Sequence, residues 1–317
     1  MNQIQPPVII LVIGVVGAGK STFVSRATGN SNVQIGHGMH SSNFHLLQNT
    51  LQQLINETGT QHPTIFPFLL DGREVCLIDT PGFDDDTRPD SAILEEISLF
   101  LAELSKWNRN PTGIIYLQDI TSNRVTGSEK FRTRMCEDIC GKHGLKNLVI
   151  ATTRWEQIAH RPSVGFERLK QRREDEAFWK FMQDNGAQVV THHDTEESAR
   201  NIVRMFLPKQ PVQFQLVDEL ISYDGQVAKT SAGRRVCGKL EMKQAEKVET
   251  LVALKEKQQH TAAVEQELKK LDQEEIEFKK KKARTFSRHM CPWNSADFLN
   301  RFPLVEKSGS MFPAGCK

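Results

Sequence analysis

Two short stretches carry residue types that do chemistry in combination. Gly14-Val15-Val16-Gly17-Ala18-Gly19-Lys20-Ser21 fits the pattern G-x-x-x-x-G-K-[ST], and Asp79-Thr80-Pro81-Gly82 follows it well downstream. Glycines at this spacing let the backbone wrap closely around phosphate oxygens with its N–H groups converging. The candidate phosphate contacts are therefore Gly14, Val16, Gly17, Ala18, Gly19, Lys20, Ser21 and Thr22. Lys20 supplies a charge for the outer phosphates, and Ser21 a hydroxyl for Mg²⁺. Asp79 joins Ser21 as a metal residue, reaching the ion through water. The N–H of Gly82 faces the terminal phosphate, which makes Lys20 and Gly82 the candidate catalytic pair. The bland reading of either stretch is a tight turn.

These residues need rigid elements to launch them. Val8 to Ile13 is apolar without polar alternation, which predicts a buried parallel strand ending at the glycine loop. Ser21 to Ala27 puts Phe23, Val24 and Ala27 on one helical face, with Gly29 at its end. Thr64 to Leu70 and Glu74 to Asp79 read as strands joined by the turn Asp71-Gly72, the second strand delivering Asp79. Asp90 or Ser91 caps a helix whose Ile93, Leu94, Ile97, Leu101 and Leu104 form an apolar stripe. Gly113 to Leu117 is a strand. Ser128 starts a helix that Gly141 stops, and Leu145 to Ala151 is the next strand. One helix is expected from about Ser163 to Asn185, then a strand from Ala187 to Val190. Asp194 with Glu197 then makes a capping box for the next helix. Strands alternating with helices predict an α/β, three-layer domain with a mixed, mostly parallel sheet over residues 1–207. The polar stretch 30–63 reads as a functional loop. Phe44, Leu47, Leu51, Leu54 and Ile55 recur within it at the spacing of a short helix.

Composition narrows the class. At 317 residues the chain holds one large domain and an extension. A net charge of +2, from 41 basic and 39 acidic residues, gives no global pull toward nucleic acid, and no specific nucleic-acid partner is expected. The six cysteines form no paired ladder and no C-x-x-C, which points to a reducing compartment. Cys136 and Cys140 with His143 read as a helix seam before a metal half-site. No basic segment leads the chain, and Val8 to Val16 is too short to cross a bilayer, so a cytoplasmic protein is expected.

Beyond residue 207 the character changes to an α-helical C-terminal extension over 208–284 and a flexible tail over 285–317. Residues 212–235 read as a helical arm with a glycine-rich break. Val264, Leu268, Leu271 and Phe278 lie near a coiled-coil seam that Glu275 interrupts, so a solvated helix packing on the domain or a partner is expected. Phe278 to Arg288 holds six basic residues and no acidic ones. Lys279–Lys282 read either as part of a solvated linker or as a patch for an anionic membrane surface, and a nuclear signal is a third reading.

The base-reading residues follow the strand ending at Ala151: Thr152-Thr153-Arg154-Trp155-Glu156. Guanine selectivity needs a carboxylate that accepts both N1–H and the exocyclic amine. One register puts Trp155 at that position, and an indole accepts no hydrogen bond. Shifting by one residue gives Thr153, Arg154 and Glu156. Both registers stay open, so Thr153, Trp155 and Glu156 are the candidate base contacts, and GTP against ATP turns on the choice.

Residues 8 to about 207 resemble the AIG1-type GTPases, the GTPases of immunity-associated proteins, and especially their fungal relatives. The resemblance rests on Gly14 to Ser21, on Ile78-Asp79-Thr80-Pro81-Gly82-Phe83-Asp84, and on Tyr116-Leu117-Gln118-Asp119-Ile120-Thr121-Ser122-Asn123-Arg124. Thr153-Arg154-Trp155-Glu156 is similar to the family's T-R-K-E base motif, and Glu197-Ser198-Ala199 matches its last helix. The resemblance implies a P-loop NTPase G domain of the septin-like branch. It also implies GTP or GDP with Mg²⁺ as ligands, a nucleotide-dependent homodimer and often a membrane-proximal role. Three positions depart from the pattern. Asn43, beside Ser41 and Ser42, stands where the switch threonine is expected. Phe83 stands where Ras-like enzymes orient water with glutamine, and the base motif is altered. Arg124 reads as a trans-acting arginine or, more plainly, a surface ion pair. The expected function is a GTP-binding protein with slow hydrolysis, acting as a nucleotide-dependent switch or assembly module. The alternatives are a non-hydrolysing scaffold and an ATP-using P-loop enzyme.

Overall fold

Every residue of β1 (Val8–Gly14) is buried. Ile9, Leu11 and Ile13 enter one apolar layer, and Val8, Ile10 and Val12 the other. A strand covered on both faces has no polar side to show, hence the unbroken apolar run. The computed structural model describes residues 6–29, 64–84, 88–123, 125–256 and 262–281. The expectations for Ser41 to Asn43, the short helix within 44–55, Arg124, Lys282 and the tail lie outside the described residues.

After β1 come α1 (Lys20–Thr28), β2 (Thr64–Leu70), β3 (Arg73–Asp79) and α2 (Asp90–Lys106). Then follow β4 (Gly113–Asp119), α3 (Gly127–Gly144), β5 (Leu148–Thr153), α4 (Pro162–Glu174), α5 (Lys180–Asp184), β6 (Gln188–Thr191) and α6 (Glu196–Arg204). The sheet runs β2-β3-β1-β4-β5-β6. Among the described residues, β2 alone is antiparallel to its neighbour, and the other four pairings are parallel. Phe23 and Val24 of α1 join Ile202 and Phe206 on one face of the sheet. Ile93 and Ile97 of α2 pack with Met135 and Ile139 of α3 on the other. The three-layer α/β domain expected from the sequence is the one that forms.

Local differences have local causes. Pro89, not Asp90 or Ser91, caps α2, without a side-chain bond. Asp90 instead accepts the Asp84 N–H at 3.1 Å and pairs with Lys239 at 2.6 Å. The capping box of α3 is Thr126 with Glu129, two residues ahead of the expected start. Gly141, at φ 64°, kinks α3 rather than ending it. The long helix expected from Ser163 breaks into α4 and α5. The break turns Phe178 and Trp179 inward to stack at 4.9 Å, both fully buried. Thr195 caps α6 by accepting the Ser198 N–H at 3.1 Å, which displaces the expected Asp194–Glu197 box.

The composition shift at residue 207 does not end the hydrophobic core. Among the described residues, three more α-helices follow: α7 (Gln215–Ser222), α8 (Ser231–Glu256) and α9 (Ala262–Lys280). Phe214, Leu216, Leu220, Val236 and Phe278 are buried in the same cluster as α2 and α3. The α8–α9 ion pairs Lys247–Glu267 and Lys279–Glu241 run in opposite order along the two helices, which makes them an antiparallel hairpin. Ser91 Oγ donates to Glu274 at 2.8 Å, and Lys281 pairs with Glu95 at 2.7 Å, seating the hairpin on α2. Within the basic stretch, Lys279 and Lys281 therefore hold carboxylate partners of this chain. Cys136 and Cys140 line the buried seam of α3, and His143 bonds the Gln213 carbonyl at 2.7 Å. Among the described residues, no helix is long and apolar enough to cross a membrane.

Candidate nucleotide-binding site

The site gathers at the C-terminal ends of the parallel strands, where open α/β sheets bind ligands. β1 ends at Gly14, and the chain turns through Gly17 (φ 77°) and Gly19 (φ 93°) before α1 opens at Lys20. Positive φ at both positions suits glycine and aims backbone N–H groups inward. Lys20 folds back over the loop, donating to the Val15 carbonyl at 2.9 Å and the Gly14 carbonyl at 3.3 Å. Its ammonium is thus positioned over the loop's centre.

Ser21 Oγ donates to Asp79 Oδ2 at 2.7 Å. Asp79 Oδ1 is buried without a hydrogen-bond partner. Burial raises the carboxyl's pKa, against the Ser21 bond and the charge of Lys20. An orphaned carboxylate oxygen beside a hydroxyl is a hard-oxygen donor set, so the residues present fit Mg²⁺.

The Asp79-Thr80-Pro81-Gly82 segment lies directly on the phosphate loop. Phe83 N–H donates to the Gly14 carbonyl at 3.1 Å, and Val16 N–H donates to the Phe83 carbonyl at 2.9 Å. A Cβ on Gly82 would stand 2.6 Å from Val16 N and 2.7 Å from Lys20 Nζ, so no larger residue fits this approach. The Phe83 side chain is 1% exposed and packs in the core, away from the loop's open side. Asp84 then pairs with Arg132 of α3 at 3.1 Å. Val16 stays exposed at the rim.

A cavity of about 430 Å³ runs from Gly17 to Thr22 toward Thr153, Arg154, Glu156 and Gln157. Thr153 Oγ1 donates to the Ala18 carbonyl at 2.9 Å, tying the end of β5 to the loop. Arg154, in the left-handed region at φ 63°, donates to the Gly17 carbonyl and pairs with Asp119 at 3.4 Å. Trp155 turns the other way. Its Nε1 donates to Thr152 Oγ1 at 3.0 Å and the Thr152 carbonyl at 3.2 Å, and its ring lies 5.2 Å from Phe166. Of the two registers left open by the sequence, Thr153, Arg154 and Glu156 face the cavity and Trp155 does not.

His192 and Asp194 also line this cavity, and sequence reasoning missed them along with Gln157. The available signal was their place immediately after β6, at the same end of the sheet. His192 Nδ1 lies 3.1 Å from Ser198 Oγ, and its ring meets Phe23 edge-on at 5.1 Å. Burial pushes its pKa down to about 4. Asp194 pairs with Arg26 of α1 at 3.2 Å.

A glycine loop between β1 and α1, Asp79 ending the adjacent parallel strand and one antiparallel edge hairpin define a P-loop nucleotide-binding fold of G-domain architecture. A comparison with protein-family models finds no match, and a comparison with curated proteins finds none either. Among solved structures, Toc33 from Arabidopsis thaliana in complex with GDP and Mg²⁺ is similar at 15% identity, over 66% of this chain and 88% of that one, with a TM-score of 0.43. The FeoB G domain from Methanococcus jannaschii is similar at 16% identity, over 64% of this chain and 98% of that one, with a TM-score of 0.34. The cytosolic domain of the T. maritima FeoB iron transporter, in a GDP form, is similar at 12% identity, over 86% of this chain and 91% of that one, with a TM-score of 0.38.

Proposed function

We propose that this protein binds GTP and GDP with Mg²⁺, hydrolyses GTP slowly, and works as a nucleotide-dependent switch or assembly module of the AIG1 type. The observation that carries the reading is the joining of Ser21, Asp79 and Gly82 on one phosphate loop. Ser21 Oγ and Asp79 would hold Mg²⁺, which supplies neutralising charge for the outer phosphates when bound. Lys20 adds a fixed cation, and Gly82 brings backbone close enough to respond to the terminal phosphate. Glu156 at the cavity wall is the acceptor that supports guanine over adenine.

Slow turnover is inferred from Phe83. Its side chain is committed to the core, so the position that orients water in Ras-like enzymes offers no polar group. The proposal extends to a cytoplasmic location, a nucleotide-dependent homodimer and, through Lys279–Lys282, contact with an anionic membrane surface. Titrating the full chain with Mg-GTP and Mg-ATP, beside Lys20→Ala, tests the core of it. Guanine should bind more tightly, and Lys20→Ala should weaken binding by about 100-fold through loss of a charged contact. Equal affinity for both nucleotides, or binding indifferent to Lys20, would remove the reading.

A further inference from the structure

A second cavity lies at the opposite end of the sheet. A recess of about 330 Å³ opens between the residues leading into β1, the first residue of β3 and the connector after α6. The seven residues of β1, at about 3.3 Å each, put roughly 20 Å between this recess and the phosphate loop. Pro6, Pro7, Pro208 and Pro211 form much of the wall, and Arg73 and Lys209 are its charged residues. Among the described residues that line it, none is acidic.

Arg73 is the informative one. Its Nη1 donates to the Leu207 carbonyl at 3.3 Å, while its Nε is buried without a hydrogen-bond partner. A buried donor on a charged group is costly to leave without an acceptor. Arg73 brings a positive charge to the wall of the recess. Lys209 adds a second positive charge. Its ammonium donates to the Lys146 carbonyl at 2.6 Å and lies 5.3 Å over the Phe206 ring. Burial lowers its pKa, with no carboxylate to offset the effect. Proline has no backbone N–H, so the wall offers stiff, apolar ring surface.

We propose that this recess binds an organic carboxylate, its anion held by the charges of Arg73 and Lys209 and its apolar body against the proline wall. A free small acid and the C-terminal carboxylate of a peptide share this chemistry.

The test titrates the full chain with benzoate, followed by NMR chemical shifts. Benzamide serves as the neutral counterpart, and inorganic phosphate as an anion without an apolar body. Benzoate should move resonances around residues 73 and 207–211 and bind more tightly than either comparison compound. Arg73→Gln should weaken it by about tenfold, while the urea midpoint reports that the variant is folded. An N-acetylated peptide acid and its C-terminal amide form a second arm. Selective binding of the peptide acid through Arg73 identifies a chain terminus as the source, and tighter binding of benzoate a free acid; either ranking supports the site. No binding of either benzoate or the peptide acid, equal binding of benzoate and benzamide, or tighter binding of phosphate overturns the proposal. So does an unchanged benzoate affinity in folded Arg73→Gln. The benzoate–benzamide comparison needs no variant, so it decides the matter even where Arg73→Gln misfolds.

Discussion

Ser21 Oγ donates to Asp79 Oδ2 at 2.7 Å, and the second oxygen of the same carboxylate is buried with no partner. One residue thus anchors the loop and keeps an oxygen in reserve for a cation. Burial raises the Asp79 pKa, so the charged form is the strained one. That unfavourable contribution is complete above the raised folded pKa, relaxes as pH falls through it, and is gone below the carboxyl's unfolded pKa. Asp79→Asn removes the charge and keeps the shape. It should lower Mg²⁺-dependent nucleotide affinity by about 10- to 100-fold. Its unfolding free energy in urea should equal or exceed that of the parent chain. A clear loss of stability would show that Asp79 is a structural anchor first.

Base choice is a separate prediction. Glu156 lines the cavity and Trp155 faces away from it. Glu156→Gln replaces an acceptor-only group with one that presents a mismatched donor. Guanine nucleotide affinity should fall by about 100-fold while adenine affinity stays level. The comparison is made by equilibrium titration with both nucleotides. A parallel drop for both would indicate damage to the loop rather than loss of base recognition.

His192 should make stability depend on pH. It is 3% exposed, and burial lowers its pKa from 6.5 to about 4. Between these values the unfolded chain holds a proton that the folded chain refuses. The stabilising effect is therefore complete above about pH 6.5 and is lost as pH falls toward 4, on the order of 3 kcal/mol in all. Urea unfolding at pH 7 and pH 5 measures the slope. His192→Asn keeps a polar group beside Ser198 and should flatten that slope, whereas an identical slope would assign the effect to other groups.

The C-terminal hairpin should behave as core. Phe278 on α9 is 2% exposed, and Ile276 on the same helix is 46% exposed. Phe278→Ala should cost about 3–5 kcal/mol of unfolding free energy. Ile276→Ala should cost about 0.5 kcal/mol or less. Comparable small effects from both would mean that α9 detaches readily from α2 and α8.

The sequence by itself determined the phosphate loop, Asp79 with its Pro-Gly turn, and the alternation of strands and helices. These signals are local. They are set by spacing within one element and by the burial of both faces of a parallel strand, which a linear pattern records. Only the tertiary structure decided which way Trp155 and Glu156 point. Neighbours in sequence, they face opposite surroundings because the acceptors of Thr152 and the Phe166 ring draw the indole inward. The same holds for Asp90, whose capping role yields to Lys239, far along the chain. His192 and Asp194 entered the cavity unannounced, since β6 brings them beside α1 from across the fold. Composition marks a change at residue 207, but the core continues to Phe278, because apolar side chains spaced along charged helices find their partners on α2 and α3. Periodicity says that a face is apolar. Which surface covers it is settled by contacts between residues distant in sequence.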